Sequence, residues 1–552
     1  MAEGNNKMSK DVSSVSEDTD EKTTDISRYF NNAPRTIFDD IVAPNEQNYF
    51  NTVSDSEDNV SRFNSLLNCT TNDLFSVDTL LDNDRMSDTL LDNDHMIQSN
   101  LHRDAWIPSE RTRKILRSIA TSTVGTTFLE RDNLTMPGLA LQGDMPDLIK
   151  TAVSHFLGED EEMQRNVLTA SDVTQDERGL RKLIQTGCYR AAINLSGRLI
   201  SIYAQGYGKI NQSSKHTPHS LYLWYTRLSL LAKLKQNELL EKESKPFGDL
   251  DKPDMYYTFY PELYGTKPGS MASFAFRLLL AEVPYYYGKP KEALDKLHKV
   301  LSVVNEILSN LQAGLMREAN DTKVTNTEQK KDAIKLWSRR KSRVLISIIN
   351  CAVGMKNYIL AVDILEELSK SHDWTTEQLQ IFRSSIGRIY LFLGDVSTAE
   401  TLLNNRIIQT TTTTVRELVD RGLIAVAKNS FQEAFNYFQT ASTMDPSNVM
   451  LLNNMAVCLL YTGQLKAAVH LYENAVARNP MKSLQEPILL NMCTSYELHT
   501  NHCKQTKLHL LRQLNKYKGD AIDIQCLKLV THERSLEMKS TDQYFASQRR
   551  SV

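Results

Sequence analysis

The chain has 552 residues, of which 41% are hydrophobic and 24% are charged, and its formal net charge is −3. These values exclude a collagen-like chain, a wholly disordered chain and a strongly basic nucleic-acid-binding protein. The seven cysteines include no C-x-x-C motif, and together with their odd number this argues against a disulfide framework or a zinc cluster.

The small net charge conceals an acidic N-terminal region. Residues 1–100 contain 7 basic and 20 acidic side chains, a net charge of −13, which leaves +10 for the rest of the chain. Because this region has few apolar residues to offset the entropy lost on ordering, we predict that it is disordered. It also lacks the apolar core of a secretory signal, and the longest apolar stretch of the chain, 221–234, is too short to span a bilayer. We expect a cytosolic protein.

A ten-residue duplication lies within the acidic region. Residues 78–86 (DTLLDNDRM) recur as residues 88–96 (DTLLDNDHM). Two interpretations remain open: a duplicated docking motif anchored by its leucine pairs, or a tandem duplication in a tolerant segment. A calcium-binding EF-hand is excluded because its turn glycine and its closing glutamate are absent.

A period of 34 residues predicts the fold. Gly422, Ala434, Phe438, Ala441 and Pro446 are followed 34 positions later by Ala456, Ala468, Tyr472, Ala475 and Pro480. This is the pattern of a tetratricopeptide repeat (TPR), a hairpin of two helices, A and B. Small residues allow helix A to approach helix B, the aromatic residues fill the space between hairpins, and proline ends helix B.

Weaker copies of the repeat occur upstream, where Gly387 and Ala399 occupy equivalent positions. Turn glycines precede the second helix of several copies, at Gly187, Gly288, Gly394 and Gly463. We predict five or six hairpins and a further degenerate hairpin from Leu221, stacked into an all-α, TPR-like solenoid. The predicted organisation is a disordered acidic region (1–100), a helical lead-in segment (101–170), degenerate hairpins with inserts (171–340), TPR repeats (341–485), a C-terminal capping hairpin (486–530) and a flexible tail (531–552).

Motifs for catalysis or cofactor binding are missing from the sequence. There is no Walker loop, no G-x-G-x-x-G, no G-x-S-x-G and no H-E-x-x-H. Cys493, His499, His502 and Cys503 are close enough in sequence for a zinc site, but tetrahedral closure would compete with helix packing there. We therefore predict no catalytic, cofactor-binding or metal-binding residues, and function that resides in surfaces.

The concave face of the solenoid is the candidate partner-binding surface. Positions of helix A that line such a face are mostly apolar here, with two arginines at its rim, which suits a long-lived protein partner. Packing of part of this face inside the solenoid is an open alternative. The predicted partner-binding residues are Arg388, Arg416, Met450, Asn453, Val457, Leu460 and Tyr461.

Three short motifs outside the repeats carry a family resemblance. The motifs are D-A-W-I-P-S-E at 104–110 with T-R-K at 112–114, L-T-M-P-G at 134–138 and Q-C-L-K-L at 525–529. They resemble motifs of the subunit-twelve family of the trafficking protein particle (TRAPP) tethering complex. The resemblance covers about residues 104–530.

This resemblance implies a non-catalytic subunit of the TRAPP III assembly, acting in transport between endoplasmic reticulum and Golgi and in autophagy. The implied partners are the large eleventh and eighth subunits and, through the assembly, a Rab1-type GTPase. Neither nucleic acid nor a cofactor is implied, and the implied location is cytoplasmic, peripheral at the endoplasmic reticulum–Golgi interface, with only indirect membrane association.

Two other functions compete with this one. A TPR scaffold of a cell-cycle or ubiquitin-ligase complex could use the acidic region as a phosphoregulated docking arm. An enzyme hidden in residues 100–270 would need a catalytic constellation that the sequence does not contain.

Overall fold

The computed structural model describes residues 105–121, 130–265, 267–313, 326–370, 374, 376–404, 413–500 and 503–529. These residues form α-helices, short 3-10 helices and two isolated β-bridges, with no β-strand among them. The predictions of an all-α fold and of a helical-hairpin solenoid are therefore confirmed. The predicted disordered region 1–100, the duplication at 78–96 and the predicted tail 531–552 lie outside the described residues.

Fourteen of the described α-helices pair into seven antiparallel hairpins, and two further helices close to the C-terminus share one hydrophobic cluster. In chain order the helices are α1 (Glu110–Thr121), α2 (Leu148–Leu157), α3 (Glu159–Met163), α4 (Glu177–Gln185), α5 (Tyr189–Ile202), α6 (Pro218–Lys233), α7 (Asn237–Ser244), α8 (Pro261–Tyr264), α9 (Phe274–Tyr286), α10 (Pro290–Ala313), α11 (Asn326–Gly354), α12 (Tyr358–Ser369), α13 (Thr376–Leu393), α14 (Val396–Asn404), α15 (Val415–Ala427), α16 (Phe431–Met444), α17 (Val449–Tyr461), α18 (Leu465–Arg478), α19 (Pro480–Ser483), α20 (Glu486–His499) and α21 (Lys504–Tyr517). Hairpins 1 to 7 are α4/α5, α6/α7, α9/α10, α11/α12, α13/α14, α15/α16 and α17/α18, and we call the C-terminal pair α20/α21 hairpin 8.

Hairpins 1 to 7 reverse direction through the same kind of turn. Each turn contains one residue with φ between 55° and 84°, and the next amide donates a hydrogen bond to the carbonyl five residues earlier, as Asn357 does to Ala352 at 2.8 Å. This is the Schellman arrangement that ends helices. The seven left-handed residues are Gly187, Lys235, Gly288, Lys356, Gly394, Asn429 and Gly463. The sequence indicates the four glycines and gives no signal for the two lysines.

Small residues lie where the two helices of a hairpin come closest. A Cβ atom added to Gly422 would lie 2.5 Å from the Phe438 ring, and one added to Gly387 would lie 2.7 Å from Leu403. Phe438 thus packs on helix A of its own hairpin. The other repeat positions Ala399, Ala434, Ala441, Ala456, Ala468, Tyr472 and Ala475 are buried.

The two repeat prolines lie outside the helices that they follow. Pro446 is exposed, two residues after α16 ends, and Pro480 begins the short helix α19. Proline is tolerated at the first position of a helix because the missing amide has no partner there in any case.

The solenoid closes on itself through α2. Ile149, Ala152 and Val153 are fully buried in a hydrophobic cluster with residues of hairpins 7 and 8, including Leu511 and Leu514. The helix α2 is therefore part of the core that covers the last hairpin, although it precedes that hairpin by more than 300 residues.

Polar contacts reinforce this closure. The Arg165 guanidinium pairs with Asp147 at 2.5 Å and donates to the carbonyls of Asn515, Lys518 and Gly519 at 3.1–3.3 Å. Because three carbonyls and a carboxylate surround it, this one buried side chain ties the helical lead-in to the C-terminal hairpin.

The segment after α21 then contacts the first hairpin. Asp520 accepts hydrogen bonds from the amides of Arg190 and Ala191, at 2.9 and 2.8 Å, at the N-terminus of α5. Burial raises the pKa of Asp520 to about 6, against the lowering effect of these amides. Gly519 lies so close to the Gly187 carbonyl that a Cβ there would be 2.3 Å from the oxygen. The described hairpins thus form a closed series.

Two predicted boundaries do not coincide with breaks in the fold. The lead-in segment 101–170 divides between two places, because α1 contacts the insert at Asp251 whereas α2 packs on hairpin 8. The boundary between residues 340 and 341 falls inside α11, which continues without a break to Gly354.

Replacing Lys356 with glycine should stabilise the protein by about 0.5–1 kcal/mol, because lysine is strained at a positive φ and glycine is not. Urea unfolding followed by circular dichroism measures the change. The control Lys299→Gly, at an exposed position inside α10, should destabilise by about 1 kcal/mol. A loss of stability in Lys356→Gly would contradict the turn geometry.

Candidate functional site

The predicted partner-binding residues do not share one surface. Met450, Asn453 and Arg388 are buried, Arg416, Val457 and Leu460 are half-buried, and Tyr461 is 46% exposed. The alternative that part of this face is internal packing therefore holds for the first three residues.

Arg388 is not a rim charge, and its predicted position was wrong. Its Nη2 atom lies 2.8 Å from Oδ1 of Asp420, and its Nε donates to the same carboxylate at 2.9 Å. Ser384 also donates to Asp420, at 2.7 Å. These contacts join α13 to α15, so that the arginine connects two successive hairpins.

Sequence reasoning missed Asp420. The available signal was the position of this acidic residue, 32 residues after Arg388 and so about one repeat away. Residues one repeat apart on successive A helices are neighbours in a stacked solenoid.

Asn453 has a similar role between hairpins 7 and 8. Its Oδ1 accepts hydrogen bonds from the Tyr472 hydroxyl at 2.9 Å and from Nδ2 of Asn491 at 3.0 Å. Since all of its neighbours belong to the solenoid interior, Asn453 cannot reach a partner protein in this structure.

A third buried link joins hairpins 3 and 4. The Ser347 hydroxyl donates to Glu282 at 2.5 Å, between α11 and α9. Burial raises the pKa of Glu282 to about 8, although the Ser347 hydrogen bond and the nearby Arg343 charge act in the opposite direction. Buried polar contacts of this kind specify which faces of two helices meet.

Several exposed apolar residues of hairpins 4 to 8 lie at the edge formed by the A–B turns, whereas Met444 is exposed at the opposite end of α16. Tyr461 precedes the turn at Gly463 and stacks on Phe431, which follows the turn at Asn429, with ring centroids 4.6 Å apart. Tyr358 and Phe392 form an equivalent pair at 5.0 Å. Ile359, Leu393 and Leu498 are exposed beside the turns of their own hairpins. We call this set the turn-edge strip: Tyr358, Ile359, Phe392, Leu393, Phe431, Tyr461 and Leu498.

Two acid–base groups with shifted pKa values are buried close together, His216 before α6 and Asp254 between α7 and α8. Nε2 of His216 donates a hydrogen bond to the Thr135 carbonyl at 2.9 Å, and Asp254 accepts from the Thr135 amide and hydroxyl. Burial lowers the pKa of His216 to about 4 and raises that of Asp254 to about 6. Both side chains are inaccessible to solvent, so the arrangement anchors the segment around Thr135 and offers no access to a substrate.

The candidate zinc ligands do not form a described site. Cys493 is buried in the core of hairpins 7 and 8, and His502 lies outside the described residues. Within the described ranges, no group of three or more His, Cys, Asp and Glu side chains is placed to hold a metal ion. None of the helices in that same part of the chain is both long and apolar enough to cross a bilayer.

The Arg388–Asp420 pair gives a stability prediction. Arg388→Met should destabilise by about 3–5 kcal/mol because it leaves a buried carboxylate without its cation, and Arg388→Met with Asp420→Leu should recover most of that loss. Urea unfolding provides the measurement. The control Arg512→Met breaks an exposed pair with Glu161 and should cost about 1 kcal/mol or less. Equal effects of the two single changes would contradict the buried link.

Glu282 gives a prediction about pH. The folded protein keeps the Glu282 proton up to about pH 8, whereas the unfolded chain releases it near the ordinary glutamate value of 4.5, so wild-type stability should fall relative to Glu282→Gln as pH rises between these values. The free energies of unfolding of both proteins at about pH 5, 7 and 9 test this. The exposed Glu306→Gln control should give a constant difference from wild type. A constant difference for Glu282→Gln would be the contrary result.

Two solved structures with helical repeats resemble the chain at a low level. Yeast Tom70 has 12% identity and a TM-score of 0.26, covering 82% of this chain and 84% of that chain. The Cut9–Hcn1 hetero-tetramer of APC/C has 11% identity and a TM-score of 0.24, and the match covers 67% of this chain and 74% of that chain. These values carry no argument about function.

Sequence comparisons are more specific. Residues 389–522 match the family model of the coatomer epsilon subunit. Over 430 residues, or 77% of this chain, the sequence is 41% identical to "Trafficking protein particle complex subunit 12" of Mus musculus and 40% identical to the Homo sapiens protein of the same name. The chain spans 54% and 58% of the length of these relatives. Over most of its length the chain is therefore similar to proteins named trafficking protein particle complex subunit 12, and the resemblance predicted from its sequence motifs is confirmed.

Proposed function

We propose that the chain is a non-catalytic scaffold subunit of a vesicle-tethering complex of the TRAPP III type, acting in endoplasmic reticulum to Golgi transport and in autophagy. The observation that carries this proposal is the 40–41% identity to TRAPP subunit-twelve proteins over 430 residues. The closed series of hairpins supports it, because such a fold presents surfaces to partners and its perturbed acid–base groups are buried.

The proposed partners are the large TRAPP subunits, the eleventh and the eighth. Contact with a Rab1-type GTPase would occur through the assembly. The proposed location is cytoplasmic and peripheral at the endoplasmic reticulum–Golgi interface, with membrane association through the complex, no nucleic-acid partner and no cofactor.

The turn-edge strip is the surface that we assign to a partner subunit. It combines exposed aliphatic side chains with two aromatic pairs, and aromatic residues are enriched where protein interfaces are fully buried. Tyr461, one of the predicted partner-binding residues, belongs to this strip and is accessible. Because the ends of the solenoid contact each other, the edges and faces are the surfaces left for a partner.

Purification of the tagged full chain from cells, followed by quantitative mass spectrometry of the proteins recovered in equal amount, tests the proposed complex. Other TRAPP subunits are the expected result. Recovery of ubiquitin-ligase or cell-cycle subunits in their place would favour the competing scaffold function and contradict the proposed role in a tethering complex.

The strip is tested by charge substitution at its exposed residues. Ile359→Glu, Leu393→Glu and Tyr461→Glu together should reduce co-purification of the neighbouring subunit about tenfold or more, since burying an unpaired carboxylate in an interface is costly. Matched control changes are available at exposed apolar residues elsewhere, Met163→Glu, Ile202→Glu and Met444→Glu. Equal recovery by the strip variant and the control variant, with unchanged melting curves, would show that partners bind another surface.

A further inference from the structure

The first half of α11 carries a basic stripe. Residues 330–343 contain seven Lys or Arg side chains and one acidic residue, Asp332. Lys331, Lys335 and Arg339 are exposed and spaced by four residues, which places them on one face of the helix. We use the name basic stripe for these three side chains.

The three side chains of the basic stripe have no partner among the described residues. None of them forms a hydrogen bond, an ion pair or a ring contact there. The neighbouring Arg340 differs, because its guanidinium lies over the rings of Phe274 and Trp337 at 5.0 and 4.4 Å. Arg340 therefore packs against the fold, whereas the three cations of the basic stripe are exposed to solvent.

The acidic region joins the fold next to this stripe. Ala105, Trp106 and Ile107 pack on a small hydrophobic cluster that also contains Ile334 and Trp337 of α11. The Arg277 guanidinium lies 4.3 Å from the centre of the Trp106 ring, which fixes the join. The described part of the chain therefore begins, at Ala105, beside the first half of α11.

A second basic helix follows the join at once. The helix α1 contains one acidic residue, Glu110, and four basic residues. Two of the basic residues, Lys114 and Arg117, are exposed. The first described residues therefore lie beside α11 and directly before α1, two segments with a charge opposite to that of the acidic region.

The duplicated segment has the matching chemistry. Residues 78–96 contain six Asp and one Arg, with a pair of leucines in each copy. Met96 precedes Ala105 by nine positions, and nine extended residues span about 30 Å, enough to lay the segment along α11. A short tether also gives an effective concentration on the order of millimolar, so that weak charge attraction suffices for binding.

We propose that residues 78–96 dock on the basic stripe of α11 within the same chain. The aspartates face Lys331, Lys335 and Arg339, and the leucine pairs contact the half-buried apolar side chains of Ile107 and Ile334. An anionic partner that approaches α11 must displace this segment, which makes the stripe conditionally accessible. This goes beyond the proposed scaffold function and does not depend on it.

Photo-crosslinking of the full-length chain tests the proposal. One reactive thiol for benzophenone maleimide is placed in the acidic segment by Asn93→Cys. The other accessible thiols are removed by Cys69→Ser and Cys503→Ser, and the remaining native cysteines are buried. At about 50 mM salt, mass spectrometry should map monomeric crosslinks to α11 and α1, and at about 0.5 M salt their yield should fall several-fold. Crosslinks spread evenly over the surface would overturn the proposal.

Charge variants give the decisive comparison. Lys331→Glu, Lys335→Glu and Arg339→Glu together should lower the yield of α11 crosslinks about tenfold, because attraction becomes repulsion. The control Lys209→Glu, Lys466→Glu and Lys504→Glu makes the same change in net charge at exposed sites without partners among the described residues and should leave the yield unchanged. Six Asp→Asn changes in 78–96 should reproduce the loss without altering the folded domain. Undiminished crosslinking in either the stripe or the Asp→Asn variant would overturn the proposal.

A lipid surface is the competing occupant of the stripe. Vesicles with about 30% phosphatidylserine test this possibility by sedimentation with the full chain. The Asp→Asn variant should bind these vesicles more strongly than the wild-type chain does, because its stripe is uncovered. Strong binding by the wild-type chain that is lost in the stripe variant, without a gain in the Asp→Asn variant, would show that α11 faces lipid and not the acidic segment.

Discussion

The antiparallel return of each hairpin is the constraint on which the fold depends. In hairpins 1 to 7 a single residue with positive φ ends helix A, and the next amide donates a hydrogen bond to a carbonyl of the last turn of that helix. The second helix then starts close to the first, and the pair can pack only where side chains are small, as at Gly422 against Phe438. Stacking of such pairs leaves polar groups to specify the register between hairpins, which Glu282–Ser347, Arg388–Asp420 and Asn453–Asn491 do.

Much of this fold could be predicted from the sequence because its signals are local and periodic. The 34-residue period, the turn glycines and the absence of catalytic motifs all lie within short windows. Lys235 and Lys356 could not be predicted as left-handed residues, since lysine has no preference for that conformation. Arg388 was misplaced because a repeat register assigns a residue to a helix face but does not reveal that the next hairpin supplies a carboxylate. The closure through α2 and Asp520 has no periodic signal at all.

The chain presents two surfaces of different chemistry. The turn-edge strip of hairpins 4 to 8 is apolar and aromatic, typical of a contact that stays buried once formed. The first half of α11 is cationic and exposed, typical of a contact that depends on salt and can be exchanged. A scaffold with both can hold one partner permanently while a second, anionic group competes for another site. The two sites share only hairpin 4, where the basic stripe occupies the first half of α11 and the strip begins after the turn that ends this helix, so each can be altered without disturbing the other.

The contacts that close the solenoid also impose an order of events during synthesis. Arg165 and its carbonyl partner at Asn515 are 350 residues apart in the chain. At translation rates of about 5–20 residues per second, α2 leaves the ribosome on the order of 20–70 s before hairpin 8 exists. Throughout that interval Ile149 and Val153 lack the hairpin 8 residues that cover them in the folded protein, and a nascent chain in this condition is a natural client for chaperones.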